Sequence, residues 1–344
     1  MALERENESL IQGIGTVSMP KRQYHQIDLE YHTASNALWT YMKPVGVPCF
    51  NLGMVEELHQ TFAEVQRNKG KFFHEDAWSP VDYFVIASRH PCTFNLGGDL
   101  ALFIRLIKAR DSTALMNYAK LCVDGIYTRL CNYNASAMTI SLVQGDALGG
   151  GFEFALSSNL IVAERGVRMG FPEIIFNLFP GMGAYSLLSR RVGMRAAEKM
   201  MTSGNTYLAE DLEKLGVVDL VVPQGEGAKA IFEMIQKQSK RLNGLRAIYE
   251  CRRHTNPVSY KELLDITSIW VESALQLTDK DLQMMNRLVH SQRRQQDQRA
   301  QSEGGGRVTS ILQQPELRAY PVRPLAALAS LAGRALACMP VPFR

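Results

Sequence analysis

Residues 138–164, "MTISLVQGDALGGGFEFALSSNLIVAE", admit few architectures. Met138 to Val143 is a short apolar run of β-forming residues, the pattern of a strand covered on both faces. It ends in the glycine run Gly149, Gly150 and Gly151. Phe152 to Ser158 then has the apolar and small-polar composition of a buried helix, with one carboxylate, Glu153, at its mouth. "NLIVAE" is extended again. Strand, glycine turn, helix and strand in such close succession imply an α/β fold.

The same alternation recurs along the chain. Ile27, Leu29 and Tyr31 share one face of a strand, and Met54 to Asn68 is an amphipathic helix. "DYFVIAS" is another buried strand, followed by "TFNLGGDLALF", where Asp99 is placed to cap a helix. "DLALFIRLIKAR" and "TALMNYAKLCVDGIYTRLCNY" have helical spacing. From Gly225 the pattern is helical only, in "GAKAIFEMIQKQSKRL", "SYKELLDITSIWVESALQL" and "DKDLQMMNRLVHSQRRQQDQR". The reading is a loose leader over 1–22, an α/β core over 23–224, a helical section over 225–299 and a Gly/Pro-rich tail over 300–344 that is expected to be poorly ordered. Within that tail "LAALASLAGRALACMP" suggests a short apolar helix, a docking element or a fortuitous tail, with membrane contact the weaker reading.

Charge and cysteine content narrow the function. The 38 basic and 34 acidic residues leave a net charge of +4, too little to argue for a nucleic-acid partner. The six cysteines are scattered, with no pairing at metal-ligand spacing, and "HED" at 74–76 reads as a solvated turn, so no metal is expected. The start of the chain lacks the apolar core of a signal peptide, and no uncharged run approaches the ~20 residues of a membrane span. These features predict a reducing, cytoplasmic setting.

The chemistry is carried by two glycine turns and two acids. A helix N-terminus presents unpaired N–H groups, and glycine lets a substrate approach them. The amides of Gly150 and Gly98 are therefore candidates for the two halves of an oxyanion hole, although either turn alone fits tight packing as well. Glu153, in the first turn of its helix, and Glu173, inside "MGFPEIIFNLFPGMG", lie in apolar surroundings that raise a carboxyl pKa towards neutrality. Trp270, Leu288, Met169, Phe171, Leu178 and Met182 are candidates for an apolar acyl pocket. Arg287, Arg293, Arg294 and Arg299 form a basic stretch, either a solvated face or a landing site for an acidic partner.

"FNLGGDL", "VQGDALGGGFEFAL", "MGFPEIIFNLFPGMGAYSLLSRRVG" and "LAEDLEKLGVVDLVV" resemble, in order and spacing, the motifs of the crotonase (enoyl-CoA hydratase/isomerase) superfamily over roughly residues 27–298. The resemblance implies a crotonase-like spiral of ββα repeats with a helical C-terminal section, assembled as a homotrimer or hexamer. Carried over, the oxyanion-hole amides fall on Gly98 and Gly150 and the acid/base pair on Glu153 and Glu173. "LWTYM" before "PCFN", "SRHPCTFNLGGDLALF" and "MNRLV" look like the diffusible signal factor synthases. Those bacterial enzymes make cis-2-unsaturated fatty acid signals for quorum sensing from 3-hydroxyacyl chains, with dehydratase and thioesterase activities at one site. The likeness implies no cofactor beyond the thioester carrier, either acyl carrier protein with its phosphopantetheine or coenzyme A. It also implies a sensor-kinase partner. Leu96 replaces the usual small residue before Gly97, and "SRHP" stands where coenzyme A-using members often have a short glycine turn. A coenzyme A-dependent hydratase and a non-catalytic regulator are the competing readings.

Overall fold

A computed structural model describes residues 24–303; the leader over 1–22 and the tail from 304 onward, with its short apolar segment, lie outside the described residues. Strands β1 (Ile27–His32) and β2 (Ala37–Met42) pair antiparallel. Helix α1 (Leu52–Arg67) follows, capped by Asn51, whose side chain accepts the N–H of Met54. Strands β3 (Lys71–His74) and β4 (Ala77–Pro80) form a hairpin. Its turn is Glu75 and Asp76, with φ of 46° and 61°, so "HED" is a two-residue turn and the strand residue before it.

Three ββα units follow. The first is β5 (Tyr83–Ser88), β6 (Thr93–Asn95), α2 (Leu100–Lys108) and α3 (Ser112–Leu130). The second is β7 (Met138–Val143), β8 (Asp146–Leu148) and α4 (Gly150–Leu156). The third is β9 (Leu160–Glu164), β10 (Arg168–Gly170), a helical turn over Glu173–Phe176, α5 (Ala184–Val192) and α6 (Met194–Ser203). Then come β11 (Thr206–Leu208), α7 (Ala209–Lys214) and β12 (Leu220–Val222). The first strand of each unit joins a six-stranded sheet of order β1-β2-β5-β7-β9-β12, and the second joins a four-stranded sheet, β11-β10-β8-β6. The two strands of a unit lie in different sheets, and pairing between units is parallel. This is the crotonase-like α/β spiral that the motifs imply.

Alternation along β7 shows how one strand serves two cores. Met138, Ile140 and Leu142 join Trp39, Val85 and Ile231 on one face of the larger sheet. Val143 faces the main core, among Ile86, Phe152 and Ile161. After β12 the described chain is helical: α8 (Gly227–Gln238), α9 (Leu242–Thr255), α10 (Tyr260–Leu275) and α11 (Asp279–Glu303). Sequence patterning assigned three helices here and missed α9, which buries no residue fully and sets only Leu242, Leu245 and Tyr249 against the smaller core. Helix α10 packs on α3, while α11 packs on α2 and the turn at Glu173–Phe176, which brings the C-terminal section over the glycine turns.

Candidate active site

Helix α4 starts where it does because Gly149 adopts φ 52°, ψ −126°, a conformation strained for any residue with a Cβ. Its N–H donates to the Gly170 carbonyl at 2.9 Å, and its own carbonyl accepts from Phe152 and Glu153 at 2.9 and 3.0 Å. One residue beyond the first helical position, a Cβ on Gly151 would run into the Asn95 carbonyl, so α4 and β6 touch there. The contact sets the Gly150 amide beside the Gly97–Gly98 turn.

That turn is fastened from three sides. The Gly97 N–H donates to the buried Asn95 Oδ1 at 2.7 Å, and the Gly97 carbonyl accepts from Phe50 N at 2.8 Å. The Tyr118 hydroxyl donates to the Phe50 carbonyl at 2.5 Å and accepts from Asp99 N at 3.3 Å. Asp99 caps α2, accepting from Leu102 N. Among the described residues, the N–H groups of Gly98 and Gly150 donate to no protein acceptor. Both glycines line a cavity of about 330 Å³.

Glu153 also lines this cavity and is 1% exposed. The loop before α5 wraps its Oε1, which accepts from the N–H groups of Met182 and Ala184, both at 2.9 Å. Burial pushes its carboxyl up to about 7, against the opposing pull of the Ala184, Met182 and Gly183 amides. Glu173 opens the helical turn after Pro172, with its carboxyl laid over Gly149, where a Cβ would overlap Oε1. Its Oε2 is buried and makes no hydrogen bond among the described residues. Burial first, then the charge of Glu153, push it up to about 8. The charge of one carboxyl thus opposes ionisation of the other, so the pair releases its protons in two separate steps. Two free amides and a carboxyl pair holding one proton can stabilise an oxyanion and move a proton between neighbouring carbons.

Of the apolar residues expected in the pocket, Trp270, Leu288, Leu178 and Met182 line the cavity, with Phe103, Phe176 and Phe179. Trp270 is 2% exposed, meets Phe103 edge-on at 5.1 Å and lies across the bare Cα of Gly181. Met169 and Phe171 do not line it, which corrects that part of the expectation. Met169 sits in β10 opposite Ala147 and Tyr207, and Phe171 stacks on Phe152 at 4.9 Å, so both are core. The rim is polar, with His90, Asp146, Arg168, Thr206, Ser291 and Gln292, and Leu96 also borders the cavity. Arg287 and Arg294 are exposed on α11, whereas the side chains of Arg293 and Arg299 lie outside the described part.

Sequence reasoning missed Asn95, Tyr118 and the amides that hold Glu153. Asn95 was detectable as a short polar side chain two residues before Gly97. Tyr118 reaches Phe50 across 68 positions and Met182 reaches Glu153 across 29, and no local pattern carries such pairs. Among the described residues no group of three or more His, Cys, Asp and Glu is placed to hold a metal ion. Among them also, no helix is long and apolar enough to cross a membrane.

The spiral, the paired glycine amides and the two acids define a class, and comparison with known proteins agrees. The enoyl-CoA hydratase/isomerase family profile matches residues 37–256, and the chain belongs to that family. The mevalonyl-coenzyme A hydratase SIDH of Beauveria bassiana (strain ARSEF 2860) is 40% identical over 96 residues, which are 28% of this chain and 34% of that protein. The chain thus spans about a third of the length of this curated relative. Among solved structures, Pseudomonas aeruginosa DspI superimposes with a TM-score of 0.56 at 22% identity, covering 70% of this chain and 92% of that one. An enoyl-CoA hydratase from Bacillus halodurans superimposes at 0.63 with 15% identity, covering 76% and 100%. At these identities the structures share the fold.

Proposed function

We propose that this enzyme dehydrates 3-hydroxyacyl chains carried on acyl carrier protein and hydrolyses the thioester, releasing a cis-2-unsaturated fatty acid that serves as a quorum-sensing signal. The observation that carries the reading is the buried pair Glu153 and Glu173 in one cavity with two glycine amides that donate to no protein acceptor. The thioester oxygen sits between the N–H groups of Gly98 and Gly150, which stabilise the enolate formed as the C2 proton leaves. One carboxyl takes that proton, the other protonates the departing 3-hydroxyl, the C3–O bond breaks and the C2–C3 double bond forms. Water leaves, and the pair ends with one proton, as it began. In the second step the same amides hold the tetrahedral oxyanion while a carboxylate deprotonates the attacking water and the carrier thiol departs.

The signal-synthase assignment rests on the likeness of "SRHPCTFNLGGDLALF" and "MNRLV" to those synthases. The apolar walls of the cavity, Trp270 and Leu288 among them, suit a hydrocarbon chain, and its volume lies in the range of small-molecule sites. Arg168 at the rim, with Arg287 and Arg294 on α11, offers positive charge to an acidic carrier protein. A trimeric or hexameric assembly, a cytoplasmic location and a sensor-kinase partner belong to the same proposal. The second reading is a coenzyme A-dependent hydratase, favoured by the name of the curated relative.

Mass spectrometry of products from 3-hydroxydodecanoyl-acyl carrier protein, and separately from its coenzyme A ester, tests this. Free cis-2-enoic acid from the carrier-protein substrate, absent with Glu153→Ala, is the expected result. Reversible hydration on coenzyme A without acid release would replace it with the second reading. No turnover of either would leave a binding role.

A further inference from the structure

Behind the glycine amides lies a second, smaller chamber of about 30 Å³ between α1 and α3. It shares Gly98, Gly150 and Met182 with the larger cavity, so those three residues are the partition between the two. Its remaining walls are almost wholly apolar, among them Phe50, Phe62, Phe154 and Ile126. The one imidazole in it, His59, is already satisfied, with Nε2 donating to the Leu121 carbonyl at 2.8 Å. A chamber with such walls offers a water no partners and suits hydrocarbon instead.

An independent feature of α3 points the same way. Gly125 lies buried in the interior of this 19-residue helix, where glycine is markedly worse than alanine. Packing does not demand it. A Cβ there would meet nothing nearer than His59 Nε2 at 3.7 Å and Phe62 at 3.9 Å, ordinary contact distances. What the glycine leaves is empty space in the chamber wall.

We infer that this chamber receives the terminal carbons of the acyl chain, and that Gly125 sets how long a chain the enzyme accepts. The inference rests on the proposed seat of the thioester carbonyl between Gly98 and Gly150. From that seat the chain reaches the chamber past Met182, whose flexible unbranched side chain can move aside while its backbone stays bound to Glu153. At roughly 10–15 Å³ for each water-sized group, the space admits about two carbons.

The test measures binding, so it does not depend on turnover. Saturated acyl-coenzyme A esters from hexanoyl to hexadecanoyl are titrated into the Glu153→Gln/Glu173→Gln protein, with and without Gly125→Ala or Gly125→Leu. Affinity should rise about fourfold per added methylene while carbons are being buried, then level off. Expected is a break about one carbon earlier with Gly125→Ala and earlier still with Gly125→Leu, while the shortest esters bind unchanged. Gly125→Ala should melt no lower than its parent, which separates a filled chamber from a damaged fold. The same break in all three proteins, or no dependence on chain length, would overturn the inference. Failure of the product assay alone would overturn the proposed reaction and leave this result standing.

Discussion

With Oε1 bound to two amides and the rest of the carboxyl out of water, Glu153 ionises near pH 7 rather than near 4.5. An acid whose pKa is raised by folding holds its proton more tightly folded than unfolded. Its ionisation therefore opposes folding above pH 7, and that cost fades as pH falls from 7 to 4.5. At about 1.4 kcal/mol per pKa unit the cost is of order 3 kcal/mol. Glu153→Gln, which keeps an acceptor for the Met182 and Ala184 amides, should resist denaturant better than wild type at pH 8, with the gap closing by pH 5. The same change should lower turnover by about 10²–10⁴-fold, as should Glu173→Gln. Because the working form carries one proton on the pair, kcat/KM should be bell-shaped in pH. Its limbs should lie near 7 and 8 and belong to the pair jointly. A flat profile over that range would exclude the two carboxyls as proton carriers.

At the scale of elements, the oxyanion site is a junction of four segments, the Phe50 stretch, the Gly97–Gly98 turn, α3 and the start of α4. The Phe50 stretch before α1 bridges to Gly98, and Tyr118 on α3 binds the Phe50 carbonyl and the Asp99 amide at once. Removing the hydroxyl leaves a buried carbonyl and an amide short of a partner. That is a loss of about 1–3 kcal/mol, with the aromatic packing on Phe103 retained. Tyr118→Phe is expected to lower kcat about tenfold with little change in KM, because the loosened turn holds the Gly98 amide less well in the transition state. Steady-state kinetics with a thermal melt would check this. A rise in KM at constant kcat would show that the turn serves binding alone.

At the scale of the whole molecule, the ββα spiral supplies the reacting groups of the cavity and the C-terminal helices add the walls at Trp270 and Leu288. Trp270 of α10 rests on Gly181, one residue before the loop amide that holds Glu153, and Thr267 on the same helix donates to the Gly181 carbonyl at 3.0 Å. Closing the pocket and positioning the acid are therefore linked through a single loop. Trp270→Ala should destabilise the protein by about 3–5 kcal/mol, as for other buried aromatic truncations. It should also weaken binding of acyl esters of every chain length alike, read from substrate competition. Unchanged binding would place Trp270 in structure alone.

The sequence by itself determined the parts whose cause is local. Glycine at 149 shows because no other residue tolerates its backbone angles, and an acid directly behind it, at the mouth of an apolar helix, shows because burial there is costly without a purpose. The β7–α4 unit, the cap at Asp99 and the helices with an apolar stripe were legible for the same reason. Tertiary structure alone decided that Met169 and Phe171 are core while Leu178 and Met182 face the cavity, since a short apolar segment carries no mark of which side the substrate occupies. It also decided that Tyr118 holds the glycine turn, that Met182 and Ala184 bind Glu153, and that a chamber stands open behind the amides. Those are contacts between segments brought together only when the sheets and helices pack, and no residue pattern within one segment encodes them.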